Sequence, residues 1–162
     1  MKIKGEFSMN VVLFQPDIPQ NTGNIARTCA LTSSKLHLIK PLGFSISDKY
    51  LKRAGLDYWH LLDLQVYEDF DEFVAQNKDA KLYILTTHAT KVYTDIKFKQ
   101  DDFIMFGKET AGLPEAIHQK YPDNRFRIPM KNHPDARSLN LANSVNIVLY
   151  EALRQNQFAD LS

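Results

Sequence analysis

Residues 103–114 read FIMFGKETAGLP, and this stretch indicates the fold class. The apolar run Phe103–Phe106 is typical of a short strand that is buried on both faces. A loop with two glycines follows directly, and Pro114 then stands where the first turn of a helix favours proline. A buried strand that leads through a tight loop into a helix is the repeating unit of α/β proteins. The stretch therefore predicts a mostly parallel sheet flanked by helices.

The same alternation of strand and helix patterns extends outward over the chain. Residues 9–162 are expected to form a single domain, and residues 1–8 a short N-terminal extension, because the first strand pattern starts at Met9. Asn21 or Thr22 is the predicted N-cap of the first helix, and Ser138 that of the last. Strands are predicted at Val11–Phe14, Lys35–Ile39, Lys81–Thr86, Phe103–Phe106 and Arg125–Ile128, with a weaker one at Gln65–Tyr67, and helices at Gly23–Leu31, Lys49–Trp59, Phe70–Gln76, Pro114–Lys120 and Leu139–Gln155.

Composition excludes several classes of protein. The chain has 162 residues, 44% hydrophobic and 24% charged, which is ordinary for a globular domain. Its net charge of +1 excludes a uniformly basic nucleic-acid coat but leaves room for a local patch. The single Cys29 excludes an internal disulfide framework and favours a cytoplasmic location. No apolar run reaches the ~18 residues that a membrane span needs, so no membrane partner is expected.

Common catalytic motifs are missing. No strand is followed by G-x-G-x-x-G, and Gly107 and Gly112 have the P-loop spacing but lead into Leu113 and Pro114 instead of Lys and Ser/Thr. The five histidines lie far apart in sequence, so no metal site is expected. No G-x-S-x-G elbow is present, which leaves a hydrolase triad without support.

Polar residues follow the first predicted strand, where parallel sheets bind their ligands. The segment PQNTGNIART, residues 19–28, carries two asparagines and Arg27 at the start of a helix. The N-terminus of a helix favours anions, and a guanidinium there can bind a phosphate with two hydrogen bonds. The alternative is a helix cap followed by a solvent-exposed arginine.

Two later loops have a similar character. Glu109 lies between the glycines of residues 107–112, either as a functional carboxylate or as a solvated or capping one. In the last helix Asn140, Asn143 and Asn146 recur every three residues. Asparagine is a poor helix former, so this stripe indicates a polar partner, namely a ligand, a second subunit or a buried network. A plain polar surface is the alternative.

Together these segments resemble the three motifs of the SPOUT-superfamily RNA 2′-O-methyltransferases. The first motif is Asn21 with Gly23–Arg27, the second is the F-G-x-E-x-x-G-L-P of Phe106–Pro114, and the third is I-P-M followed by R-S-L-N within Ile128–Asn140. Their order and spacing match as well. The stretches Leu38–Phe44 and Arg53–Tyr58 resemble in particular the TrmL-like branch, which methylates the wobble nucleotide of certain tRNAs.

The resemblance implies a fold, a cofactor and partners. The fold is the SPOUT α/β knot, in which the C-terminal part of the chain forms a deep trefoil knot, one of the few exceptions to the rule that chains avoid knots. The cofactor is S-adenosylmethionine, and the partners are a second copy of the chain and the anticodon stem-loop of tRNA, with no DNA expected. The alternatives are another tRNA or rRNA site, a non-catalytic RNA-binding dimer, or a nucleotide-dependent enzyme without an RNA substrate.

The resemblance also assigns site residues by motif position. The implied cofactor contacts are Leu85, Gly107, Ile128 and Ser138, and the implied catalytic or substrate-positioning residues are Asn21, Arg27, Glu109, Ser138 and Asn140. Arg27 is often taken as the base in this family, but a guanidinium stays protonated in proteins. We therefore interpret Arg27 as a clamp on a phosphate whose charge stabilises the developing 2′-oxyanion. Glu109 is expected to hold either Arg27 or the loop backbone.

Cations for RNA binding fall into two groups in the sequence, and a dimer would duplicate both. Many members of the family have a proline and an arginine where this chain has Lys108 and Ala111, so no basic side chain is expected at the second position. Tyr93 is a candidate for stacking on an unpaired base, whereas Trp59 is expected in the core. The two groups are Lys49, Lys52 and Arg53, and Lys91, Lys97 and Lys99, with Lys108 and Lys131 nearer to the expected site.

Overall fold

A computed structural model describes residues 6–49, 51, 53 and 56–162 of the chain. Seven strands form one sheet in the order β3-β2-β1-β6-β4-β7-β5, and every strand pair is parallel. The predicted parallel sheet is thus confirmed. The short β5 was not predicted, because two residues carry no periodic pattern. The strands are β1 (Asn10–Phe14), β2 (Lys35–Ile39), β3 (Asp63–Tyr67), β4 (Leu82–Leu85), β5 (Lys91–Val92), β6 (Phe103–Phe106) and β7 (Arg125–Arg127).

Helices cover both faces of the sheet. Because successive strand residues point to opposite faces, Val11 and Leu13 pack under α1 and α4, whereas Val12 and Phe14 pack under α2 and α3. The helices are α1 (Pro19–Leu31), α2 (Phe70–Gln76), α3 (Glu115–Lys120) and α4 (Leu141–Gln155), with 3-10 turns at Leu56–Leu61 and Tyr93–Asp95.

The starts of two helices differ from the sequence prediction. Helix α1 begins at Pro19, so Asn21 and Thr22 lie buried inside its first turn and cap nothing. The fixed backbone angle of proline suits the first position of a helix and moves the start forward. Helix α4 is capped by Asn140, whose side chain accepts the Asn143 N–H, so the prediction of Ser138 as the cap was also wrong.

Another helix was predicted at Lys49–Trp59, and part of that segment lies outside the described residues. From Leu56 onward the chain forms the 3-10 helix Leu56–Leu61 instead of an α-helix. Trp59 packs against the core as predicted. No helix among the described residues is long and apolar enough to cross a membrane.

The N-terminal residues that the structure describes join the domain core. Phe7 and Ser8 are buried, and Phe7 packs in the cluster that also holds α1 and α4. The Phe7 N–H donates to the Asp160 carboxylate over 2.8 Å, which ties the first described residues to the C-terminal segment. Residues 1–5 of the predicted extension lie outside the described part of the chain.

His37 on β2 is buried in a closed hydrogen-bond network. Its Nδ1 pairs with the Tyr67 hydroxyl and its Nε2 with Asn10 Oδ1, each over 2.8 Å. The Asn77 amide donates to the same tyrosine oxygen, so the tyrosine proton is directed at Nδ1. The imidazole therefore accepts at Nδ1 and donates at Nε2, as only the neutral ring can. Burial, and then the charge of Lys35, lowers the pKa of His37 to about 3.

This network predicts a loss of stability in mild acid. In the unfolded chain the pKa of His37 returns to about 6.5, so between that pH and about 3 the unfolded chain binds a proton that the folded chain does not. The free energy of unfolding falls through this window by about 1.4 kcal/mol per pH unit from His37 alone. His37→Gln removes the titrating group, and urea unfolding at pH 7, 6, 5 and 4 should show a shallower decline for the variant. Equal slopes for the two proteins would contradict the assignment.

Candidate active site

A cavity of about 590 Å³ opens at the carboxyl ends of β4, β6 and β7. It is lined by every residue that the motifs assigned to the site except Arg27. Residues that the motifs did not assign also line it, among them Thr86, Thr87 and His88 after β4, and Met130 and Arg137 in the segment before α4. Those assigned are Asn21, Leu85, Gly107, Glu109, Ile128, Ser138 and Asn140.

The loop after β6 forms part of the cavity wall with its backbone. It closes on itself through the Gly112 N–H, which donates to the Lys108 carbonyl over 2.9 Å, and Gly112 has a φ of +64°. A Cβ on Gly107 would lie 2.3 Å from the carbonyl carbon of Gly112 and 2.5 Å from the Leu113 nitrogen. Only glycine fits at position 107, because the obstacle is backbone and cannot move aside.

The Glu109 carboxylate joins this loop to the start of α1. Its Oε2 accepts the Asp17 N–H over 2.8 Å and its Oε1 the Ile18 N–H over 3.2 Å. Ile18 is the N-cap of α1 but has no side chain able to cap, so the carboxylate of a distant loop lies at the positive end of that helix. Thr110 adds a hydrogen bond to the Asp17 carboxylate over 2.7 Å. Glu109 therefore holds backbone, as one of the two expectations had it, and not Arg27.

Two asparagines continue this contact into the third motif. Asn21 Nδ2 donates to Glu109 Oε1 over 3.4 Å, and Asn140 Nδ2 donates to Asn21 Oδ1 over 3.1 Å. Asn140 Oδ1 in turn accepts the Asn143 N–H and caps α4. The buried Asn21 thus links the starts of both helices to the glycine loop, and the three motifs meet in one hydrogen-bonded chain.

Arg27 lies outside the main cavity and borders a second, more polar pocket of about 460 Å³. Arg27 is exposed, and its Nη2 donates to the Tyr58 hydroxyl over 3.2 Å, with the guanidinium carbon 4.6 Å from the Tyr58 ring centroid. No sequence pattern predicted this contact between residues 31 positions apart. The two pockets share Asn21 and Asn140, so they are neighbours. The second pocket is lined by Asn21, Asn24, Arg27, Thr28, Asn140, Ala142, Asn143 and Asn146.

The predicted asparagine stripe forms part of this second pocket. Asn146 Oδ1 is buried and has no hydrogen-bond partner. Asn140 is engaged in the network described above, whereas Asn143 is exposed. Asn140 is hydrogen-bonded but exposed, so the stripe is not a buried network there, and the polar partner that the stripe indicates stays a prediction.

Other polar groups at the main cavity differ in exposure. Residues 131–140, which include Ser138, are exposed, so the third motif forms an open wall. On the opposite wall the exposed His88 lies over His118, with ring centroids 5.7 Å apart. Burial lowers the pKa of His118, and the charges of His88 and Arg125 lower it further, so this ring is neutral near pH 7. In the part of the chain that the structure describes, no cluster of His, Cys, Asp or Glu is arranged to hold a metal ion.

Only some of the predicted basic residues lie near the main cavity. Lys108 lines the main cavity, whereas the Lys91 amine donates to the Asp123 carbonyl and so has a partner within the chain. Lys97, Lys99 and Lys131 are exposed. Lys52 lies outside the described residues.

The geometry resembles that of known RNA methyltransferases. The description "SpoU rRNA Methylase family" applies to a family model that matches residues 8–150. The tRNA (cytidine(34)-2′-O)-methyltransferase of Methylovorus glucosotrophus is 49% identical over 151 residues, which cover 93% of this chain and 97% of that protein.

Solved structures lead to the same family. A structure from work on the 2-OH methylation of C/U34 on tRNA has a TM-score of 0.88 and 41% identity, over 95% of this chain and 99% of that one. The SpoU methyltransferase AviRb from Streptomyces viridochromogenes, in complex with the cofactor AdoMet, has a TM-score of 0.83 and 25% identity, over 95% of this chain and 60% of that one. With a family match over most of its length and relatives near half identity, this chain belongs to the SpoU rRNA methylase family.

Proposed function

We propose that this protein transfers a methyl group from S-adenosylmethionine to the ribose 2′-hydroxyl of the wobble nucleotide, cytidine or modified uridine, in certain tRNAs. The observation that carries the proposal is the cavity in which all three motifs meet, next to a pocket bordered by Arg27. The relative named above acts on cytidine 34 of tRNA. The family description names rRNA instead, so rRNA is the second candidate substrate.

The main cavity fits the cofactor. Its walls combine backbone of the glycine loop with the apolar side chains of Leu85 and Ile128, which suits a ligand that has both an adenine ring and polar groups. Leu85, Gly107, Ile128 and Ser138 are the proposed contacts. When bound there, S-adenosylmethionine supplies an electrophilic methyl group on a sulfonium.

Arg27 and the asparagines are proposed to act on the RNA. Methyl transfer breaks the sulfur–methyl bond, forms an oxygen–methyl bond and releases the proton of the hydroxyl, so the ribose oxygen must be aligned with the methyl group. Asn21 and Asn140 line both pockets, and this position supports a role in orienting the ribose. Arg27, held on the RNA side, binds the adjacent phosphate, and its charge stabilises the developing oxyanion. Glu109 positions Asn21 and the glycine loop.

A second copy of the chain is part of the proposal. The outward faces of α1 and α4 expose Leu31, Ile147 and Tyr150, whose exposed fractions are 50%, 37% and 47%. Leu31 lies one turn after Arg27 on α1, and Ile147 directly follows Asn146 on α4, so a partner that covers these residues would border the second pocket. A dimer also doubles the basic groups of a chain with a net charge of +1.

Two further features belong to the same proposal. The first is the C-terminal trefoil knot that the resemblance implies. The second is a cytoplasmic location, which suits a tRNA substrate and the unpaired thiol of Cys29. Burial raises the pKa of that thiol to about 12, so it is neutral and unreactive.

Activity is tested with radiolabelled S-adenosylmethionine. Incubation with tRNA from a strain that lacks this enzyme should label a single 2′-O-methylated nucleoside at position 34. Arg27→Ala should lower this labelling at least about 100-fold, because a lost charge-assisted contact to phosphate costs about 3 kcal/mol. Lys120→Ala removes a cation on the opposite face of the sheet and serves as the control. Labelling of rRNA alone would contradict the tRNA assignment.

Cofactor binding is tested at the glycine loop. Gly107→Ala places a methyl group against the backbone of Gly112 and Leu113, so calorimetry should show S-adenosylmethionine affinity reduced at least about tenfold. Lys120→Ala, on the opposite face of the sheet, is the control and should keep wild-type affinity. Equal affinities for Gly107→Ala and the wild type would contradict the proposed contact.

The dimer is tested by light scattering after size exclusion. Tyr150→Glu introduces a charge into the exposed apolar surface of α4, so a dimeric wild type should become monomeric and lose methyl transfer. Phe158→Glu, an exposed apolar residue beyond the end of α4, is the control and should leave the dimer intact. A monomeric wild-type protein that is fully active would overturn this part of the proposal.

A further inference from the structure

Tyr58 contacts the guanidinium of Arg27 in two ways. Its hydroxyl accepts a hydrogen bond from Nη2 over 3.2 Å, and its ring lies beneath the guanidinium carbon at 4.6 Å. We propose that Tyr58 is a positioning residue that orients Arg27 towards the RNA backbone. The inference rests on the function proposed above.

An arginine in this place needs an orienting group. Arg27 is exposed, and a long exposed side chain loses much rotamer freedom when it is fixed in one direction. A carboxylate would also fix it, but it would compete with the phosphate for the same charge. The nearby carboxylate of Glu109 is instead bound to backbone of the loop before α1. A neutral tyrosine orients the guanidinium and leaves its charge available.

Tyr58 is itself held by the fold. It is half-buried on the 3-10 helix Leu56–Leu61, and its neighbour Trp59 packs against the same core cluster as α1. Both partners of the contact are thus anchored in one core. Among the residues that the structure describes, Tyr58 accepts one N–H of Arg27, and the Arg27 side chain, with further N–H donors, borders the amide-lined pocket. A phosphodiester has the acceptor oxygens that these donors and the Asn24 amide require.

The test is a double-mutant cycle read on methyl transfer to tRNA. Tyr58→Phe keeps the ring and should lower kcat about three- to tenfold, the usual effect of one lost hydrogen bond. Tyr58→Ala loses both contacts and should lower kcat about 10- to 100-fold. In an Arg27→Ala background the same Tyr58→Ala change should cost less than about twofold, because the group that it orients is gone. Tyr121→Phe, a half-buried tyrosine on the other face of the sheet, should leave kcat unchanged.

Two further measurements distinguish a loss of Arg27 orientation from a general loss of structure. S-adenosylmethionine affinity and the melting temperature should stay at wild-type values in Tyr58→Phe, which carries the test if Tyr58→Ala fails to fold. Wild-type kcat in Tyr58→Ala, or the same loss with and without Arg27, would overturn the inference.

If the proposed function is wrong, the result differs from the one expected if only the role of Tyr58 is wrong. In that case the wild type methylates no tRNA, and the same cycle is read on the dissociation constant for tRNA. An Arg27-dependent weakening by Tyr58→Ala then still supports the contact, and equal weakening without Arg27 overturns it.

Discussion

Two backbone N–H groups before α1 donate to the carboxylate of Glu109, and this contact joins the loops that follow β1 and β6. Hydrogen bonds to a charged group contribute about 1.5–3 kcal/mol, more than most contacts between loops. The contact also supplies the cap that Ile18 cannot provide. Because Asn21 is bonded to the same carboxylate and to Asn140, the start of α4 is fixed as well. The cavity exists because these three loops are held together.

The parallel sheet explains why three distant motifs meet at all. Strands β1 and β6 are direct neighbours, and β4 and β7 follow on one side, so their carboxyl ends lie at one edge. Loops that are far apart in sequence, between residues 15 and 140, therefore lie at the same edge of the sheet. β6 is buried and wholly apolar, and β1 is buried and apolar apart from Asn10, so at the site these two strands contribute position without chemistry. The polar groups come from the loops, as in other sheets of this class.

Much of this was predictable from the sequence, and the exceptions have physical reasons. The strand at Phe103–Phe106 was predicted to the residue, because an apolar run bounded by polar residues and glycine has few other solutions. The cap of α4 was misplaced because Ser138 and Asn140 are both good capping residues, and only tertiary contacts choose between them. The partner of Arg27 was not predictable, since it depends on how a 3-10 helix packs beside α1.

The two pockets are formed largely by different parts of the chain. The main cavity is built on β4, β6 and β7, whereas Arg27 belongs to α1 and borders the more polar pocket. In the proposed reaction Arg27 binds a phosphate beside the second pocket, and its charge stabilises the ribose oxygen that lies between the two pockets. Asn21 and Asn140, which are neutral, line both pockets and can hold that ribose without adding charge.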